Sequence, residues 1–238
     1  MQDDSFGSRF FITRPQPCPY LAGRVEQKVV TVLGRSGAAA KYDLLNRNGF
    51  RRSHEILYRP SCSGCAACVP VRVIVDHFRL DRSLARVWRR NADLAAEVVP
   101  AAATREQYAL FARYQEARHG DGDMVNMSFQ DYRGRVADTP VATALIEFRS
   151  GDGRLAAASV IDELADGLSA VYTFFTPERA RTSPGTYSIL WQIANCRARG
   201  LPYLYLGYWI AESEKMAYKA RFQPLEALRR DGWLPLEP

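Results

Sequence analysis

Between Val141 and Ile210 the chain lays down one pattern three times and then changes it. The runs "VATALIEFR", "LAAASVIDEL" and "LSAVYTFFT" are separated only by Gly151–Gly153 and by Asp166-Gly167. Apolar, β-prone runs bounded by such short turn formers read as three strands joined by two hairpins. Pro184-Gly185 then opens a run with Ile189, Ile193 and Cys196 on one helical face, which ends at Gly200. "YLYLGYWI" follows as another strand. An antiparallel meander, a helix opened by a Gly-bearing loop and a returning strand predict an α+β fold, an antiparallel sheet flanked by helices.

The portion before Val99 has a different texture, with many Pro, Gly and Arg residues and short β-like runs, "KVVTVL" and "VPVRVIVDHF". "EVVPAAAT" reads as a junction. Thr104 is a good N-cap for the helix "REQYALFARYQEARH", which carries an acid in its first turn. The expected division is therefore a smaller N-terminal domain, 1–100, and a sheet-bearing domain, 101–238. With 238 residues the chain needs no covalent staples for its core.

The smaller part holds "SCSGCAACVP", with Cys62, Cys65 and Cys68 three apart. No apolar run approaches the roughly 20 residues of a membrane helix. The start, "MQDDSFGSRFFITRPQPCPY", lacks the basic and apolar regions of a secretory leader. The expectation is a cytoplasmic chain without a membrane partner, in a compartment where thiols stay reduced. The odd total of five cysteines argues the same way. With Cys18 upstream, four thiolates could close a tetrahedral zinc site or hold an iron–sulfur cluster. Buried free cysteines are the alternative.

Of the 32 basic residues only Lys28, Lys41, Lys215 and Lys219 are lysine, and the net charge is +6. Codon bias explains an arginine excess; so does a polyanionic partner, because the guanidinium fork binds phosphate in a bidentate way. Arg86, Arg89 and Arg90 fall on one side of a helix expected from about Ser83. Lys215, Lys219 and Arg221 surround Tyr218 and Phe222. Cations interleaved with aromatics suit a single-stranded RNA end, where bases stack and phosphates pair.

The order of elements after Val141 also occurs in the acetyltransferase-like (GNAT) fold. More specifically, "CPYL", "GFRRSHEILYRPSCSGCAACVPVRV", "RRNADL", "YQEARHGDGDM", "DGLSAVYTFFTPE", "GTYSILWQI", "YLYLGYWI" and "KMAYKARFQPLEAL" span nearly the whole chain. Together they resemble the arginyl-tRNA–protein transferase family, most closely its bacterial aspartate/glutamate leucyltransferase branch. The resemblance implies a GNAT-like half and a cysteine-bearing half. It implies transfer of leucine from leucyl-tRNA to the N-terminal amine of proteins starting with Asp or Glu, which marks them for degradation. Arginyl transfer by the same chemistry and a coenzyme A-dependent N-acyltransferase are the alternatives, with a non-enzymatic RNA-binding or redox module behind them.

Such a reaction needs no cofactor for the transfer itself, since the aminoacyl ester is already activated. A carboxylate could take the proton from the attacking amine. Asp162 is the first candidate and Glu147 the second, with Tyr172 as donor to the oxyanion or to the leaving 3′-oxygen. Arg52, Arg179 and Lys219 are candidates for the acceptor carboxylate or the tRNA terminus, with Lys215 and Tyr218 beside them. His119 follows a helix C-terminus, where a cation is favoured.

Overall fold

The computed structural model describes residues 9–120 and 122–237. The first eight residues, part of the stretch searched for a leader, lie outside the described residues.

The first part contains β1 (Phe10–Ile12), β2 (Gln16–Pro17), β3 (Val25–Glu26), β4 (Lys28–Val32), α1 (Ala38–Arg47), β5 (Arg51–Ser53), β6 (Ile56–Pro60), β7 (Val69–Ile74), α2 (Arg82–Arg90) and β8 (Ala95–Pro100). After it come α3 (Arg105–His119), α4 (Phe129–Val136), β9 (Thr143–Arg149), β10 (Leu155–Leu164), β11 (Gly167–Phe175), α5 (Pro184–Ala198), β12 (Tyr203–Trp209), α6 (Glu214–Ala217), β13 (Leu225–Arg229) and β14 (Gly232–Pro235).

The meander forms as expected: β9, β10 and β11 pair antiparallel, and α5 carries the chain to β12, which lies parallel to β11. They sit in an eight-stranded sheet of order β14-β13-β7-β12-β11-β10-β9-β8, antiparallel except at β11–β12. This is the GNAT-like arrangement the sequence order predicted.

Alternation along the strands explains the layers. Ile146, Phe148, Ala157 and Ile161 point to the face covered by α2 and α5. Leu145, Ala158, Val160 and Phe174 point to the face covered by α3 and α4. With both faces covered, β10 is buried along nearly its whole length. The start of α3 is set by a capping box: Thr104 Oγ1 accepts from the Gln107 amide at 3.1 Å, and Gln107 Oε1 accepts from the Thr104 amide at 3.0 Å.

The expected boundary at residue 100 does not divide this sheet. β7 lies between β12 and β13, and β8 pairs with β9 at the edge. Residues 1–100 thus supply two of the eight strands. Beside the two-stranded β2-β3 and α2, the remainder of that part is a four-stranded sheet, β1-β4-β6-β5, with α1. It docks through Leu33, Tyr42, Phe50 and Leu57, which pack with Leu164 and Tyr205 of the large sheet. Among the described residues no helix is long and apolar enough to cross a membrane.

Candidate active site

β11 and β12 pair only from Gly167–Tyr203 to Ser169–Tyr205. Beyond that the strands separate, and the gap between them is a cleft of about 680 Å³. Ala170–Thr173 and Phe175 form one wall, and Leu206, Gly207 and Tyr208 the other. The start of α5, the C-terminal end of α3, Arg135 of α4, β5 and the segment 214–219 close the rest. Gly207 adopts a φ of 74°, and a Cβ there would stand 2.9 Å from Arg51 Nε. Glycine at this position lets Arg51 cross the cleft floor, where it donates to Ser169 Oγ at 2.9 Å and to the Ala170 carbonyl.

The cleft is cationic. Arg51, Arg52, Arg118, Arg135, Lys215 and Lys219 line it, and Glu214 is its lining carboxylate among the described residues. Ser183, in the left-handed region at φ 59°, gives the start of α5 no side-chain cap, and Ser183, Gly185 and Thr186 face the cleft. An uncapped helix start offers free N–H groups and adds positive potential.

Six of the residues singled out in the sequence meet here: Arg52, His119, Tyr172, Lys215, Tyr218 and Lys219. Three do not. Asp162 is 0% exposed and outside the cleft lining. Its Oδ2 accepts from Arg52 Nε at 2.7 Å and Tyr42 Oη at 2.9 Å, its Oδ1 from Arg52 Nη2 at 2.6 Å and Thr143 Oγ1 at 2.7 Å. Four donors saturate this carboxylate, so no lone pair remains for an incoming amine. Glu147 also lies outside the cleft lining and is occupied: Gln107 donates to Oε1 at 2.7 Å and Arg149 to Oε2 at 2.7 Å. Arg179 binds both oxygens of Asp93, at 2.8 and 2.7 Å. In this geometry the two carboxylates expected to supply a base, Asp162 and Glu147, are both engaged in the scaffold and lie outside the cleft.

Arg52 lines the cleft, but its charge is committed to Asp162, and Nη1 donates to the His54 carbonyl at 3.0 Å. Arg135 is the opposite case. Its buried Nε has no hydrogen-bond partner among the described residues. Burial pulls its pKa down, an effect partly offset by Tyr172 and Tyr58 and reinforced by Arg52. A buried guanidinium nitrogen without a partner carries a desolvation cost that an anion would relieve. Nothing in "DYRGRVAD" distinguishes Arg135 from the other arginines; only burial does.

Tyr172 accepts from Gln115 Nε2 at 2.6 Å, and burial raises its pKa to about 12. The hydroxyl proton thus stays on, free to donate into the cleft. Lys219 is buried and donates to the Tyr208 carbonyl at 2.5 Å. Desolvation, reinforced by Arg51, pulls its pKa down to about 7. Burial first, then Lys215 and Arg118, pulls His119 below the ordinary histidine range.

The cysteines form a second, smaller place. Cys18, Cys62, Cys65 and Cys68 all line a cavity of about 60 Å³. Cys62 Sγ lies 3.4 Å from the Gln27 amide. The Cys68 thiol is pushed up to about 11, first by burial and then by Cys18, Cys62 and Cys65. Yet among the described residues no group of three or more His, Cys, Asp and Glu side chains is placed to hold a metal ion. The thiols share a wall without converging on one point, so the expected zinc or iron–sulfur ligation is not met by this arrangement. Cys196, on α5, is buried in the core between that helix and the sheet.

The sheet thus follows the GNAT-like order of elements and parts between β11 and β12 into a cationic cleft. The chain belongs to the arginine-tRNA-protein transferase family: residues 16–86 match its N-terminal half and residues 106–229 its C-terminal half. It is 53% identical over 229 residues to the aspartate/glutamate leucyltransferase of Paramagnetospirillum magneticum, covering 96% of this chain and 94% of that one. It is 55% identical over 228 residues to the protein of the same name from Gluconacetobacter diazotrophicus, covering 96% and 88%. Among solved structures, FemX overlaps at a TM-score of 0.46 and 8% identity, over 84% of this chain and 79% of that one.

Proposed function

We propose that the cleft moves leucine from leucyl-tRNA to the N-terminal amine of proteins that begin with Asp or Glu. The names of the two relatives supply the donor and the acceptors. The observation that carries the reading here is Arg135, a guanidinium on the cleft wall whose buried Nε has no partner among the described residues. An acceptor's Asp or Glu side chain would pair with it, and Arg118 and Lys215 add to the attraction.

The α-amine attacks the ester carbon that joins leucine to the terminal ribose. A peptide bond forms, the carbon–oxygen bond breaks and tRNA leaves with its 3′-hydroxyl. The ester is activated, so positioning does most of the work. An α-ammonium titrates near pH 7.7–8.0, and its deprotonation is mild. We assign the removal of that proton to His119, which lines the cleft and whose pKa burial lowers. The Tyr172 hydroxyl donates to the tetrahedral oxygen or to the leaving oxygen. No step runs through a metal. A charged-tRNA donor implies that the protein works in the cytoplasm.

A transfer assay tests this with leucyl- and arginyl-tRNA as donors and peptides beginning with Asp, Glu and Lys as acceptors. Leucine should reach the Asp and Glu peptides alone. Transfer to the Lys peptide, or to none, overturns the reading.

A further inference from the structure

The cleft accounts for the end of a tRNA and leaves a second cationic feature unused. On α2, Arg82, Arg86, Arg89 and Arg90 stand at i, i+4, i+7 and i+8, which is one helical face, and all four are exposed. Leu84 and Val87, on the opposite face, are buried with Ile189, Leu190 and Ile193 of α5. Among the described residues none of the four arginines is in a salt bridge. The two nearby acids are engaged: Asp81 accepts from the Leu84 amide at 2.7 Å, and Asp93 holds Arg179.

Local electrostatics explains only part of this face. Arg89 and Arg90 lie in the last turn, where a helix favours cations. Arg82 lies in the first turn, where the helix dipole disfavours one. Both ends of α2 are tied to the rim of the cleft. At its C-terminus, Asn91 Nδ2 donates to the Thr182 carbonyl at 2.8 Å, and Trp88 packs against Tyr187 in a tilted pair with ring centroids 5.3 Å apart. At its N-terminus, Arg221 donates to Ser83 Oγ at 2.8 Å. Ser183, Gly185, Thr186 and Lys219, the close chain neighbours of these contacts, line the cleft.

We propose that the arginine face of α2 holds the phosphate backbone of a double-helical RNA stem whose single-stranded, aminoacylated end enters the cleft. Arg82 to Arg90 spans about 12 Å along the helix axis, at roughly 1.5 Å per residue. That length meets several phosphates of one strand. Duplex RNA is read through shape and phosphates, which suits guanidinium groups with no aromatic partner at the surface. A membrane surface fits less well, because the exposed face of α2 carries no large apolar residue, and interfacial helices need one. The proposal rests on the tRNA-dependent function above, and its test does not need that function to succeed.

The test measures binding of uncharged RNA against salt. One probe is a hairpin with a base-paired stem and a single-stranded CCA end; the other is the single strand alone. The protein is compared with the variant R82A/R86A/R89A/R90A, with R86A, and with the control R229A/R230A, whose exposed arginines lie at the β13–β14 turn. The quadruple variant should bind the hairpin at least about tenfold more weakly near physiological salt, and its log–log salt slope should shrink by about 3.6, at roughly 0.9 for each phosphate that is no longer neutralised. R86A should shrink the slope by about 1. The control should match the parent protein. Unchanged hairpin binding overturns the proposal. Equal losses on hairpin and single strand remove the stem from it. Loss of binding to anionic vesicles with hairpin binding intact makes the surface a membrane contact and also overturns it. Normal hairpin binding with no leucyl transfer in the parent protein counts against the proposed function and leaves this surface standing.

Discussion

Arg52 and Arg135 border the same cleft and have opposite surroundings. Arg52 is 5% exposed and bound through two nitrogens to Asp162, which in turn holds Tyr42 and Thr143. The charge is neutralised inside the protein, and the pair ties α1 and β5 to β10. Arg135 is half-buried, and its Nε is unpartnered among the described residues. Burial with a saturated partner marks a scaffold; burial without one marks a place prepared for a ligand. Residue type is the same at both, so only the partner tells them apart.

Removing Asp162 should have the largest effect. Asp162→Ala leaves Arg52 charged and buried, and breaking a buried pair in this way costs about 3–5 kcal/mol. Urea unfolding should show that loss. A variant of unchanged stability but no transfer would break the comparison, because Asp162 would then belong to the chemistry.

Arg135→Gln should do the reverse. Its stability should stay near that of the parent protein, since the substitution strands no partner. Its kcat/KM for an Asp-initiated peptide should fall about 10- to 100-fold, the equivalent of one charge-assisted hydrogen bond of about 1.5–3 kcal/mol. The fall should be much smaller with an Asn-initiated peptide. Equal losses on both peptides would remove Arg135 from acceptor recognition.

Lys219 sharpens the comparison as a third buried cation. Its pKa falls to about 7 in the folded protein against the ordinary value of 10.5. Between those limits the unfolded chain binds more protons than the folded one, so folding stability rises with pH across that window. Below about 7 both states are protonated and the folded protein bears the full cost. Lys219→Met should flatten this rise, read from melting temperatures at neutral and alkaline pH. A slope that persists in the variant assigns it to another group.

The smallest effect belongs to the thiol cavity. With its thiol raised to about 11, Cys68 holds little thiolate at neutral pH. Alkylation by iodoacetamide should be slow at Cys68 in the folded protein and fast in urea, as read by mass spectrometry. Fast alkylation in the folded protein would contradict that environment.

Much of the architecture was legible because it is local. The three strands, their turns and the Thr104 N-cap of α3 are written in adjacent residues, and each formed where the pattern placed it. The sheet's full membership was not legible: β7 and β8 reach it from before residue 100 through pairings far apart in sequence. The same limit governed the site. Asp162 and Glu147 carried the right functional group for a base, but sequence does not show which donors already occupy a carboxylate. Arg135 carried no signal at all.

By itself, then, the sequence determined the meander, the main helices, the family and the chemical class, because propensity, turn chemistry and motif order act over short distances. Tertiary structure alone decided which charges are spent and which are free. Tyr42, Arg52, Thr143 and Asp162 meet only after α1, β5, β9 and β10 pack together. Electrostatic fate follows from distance and burial in space, and neither is a property of neighbouring letters.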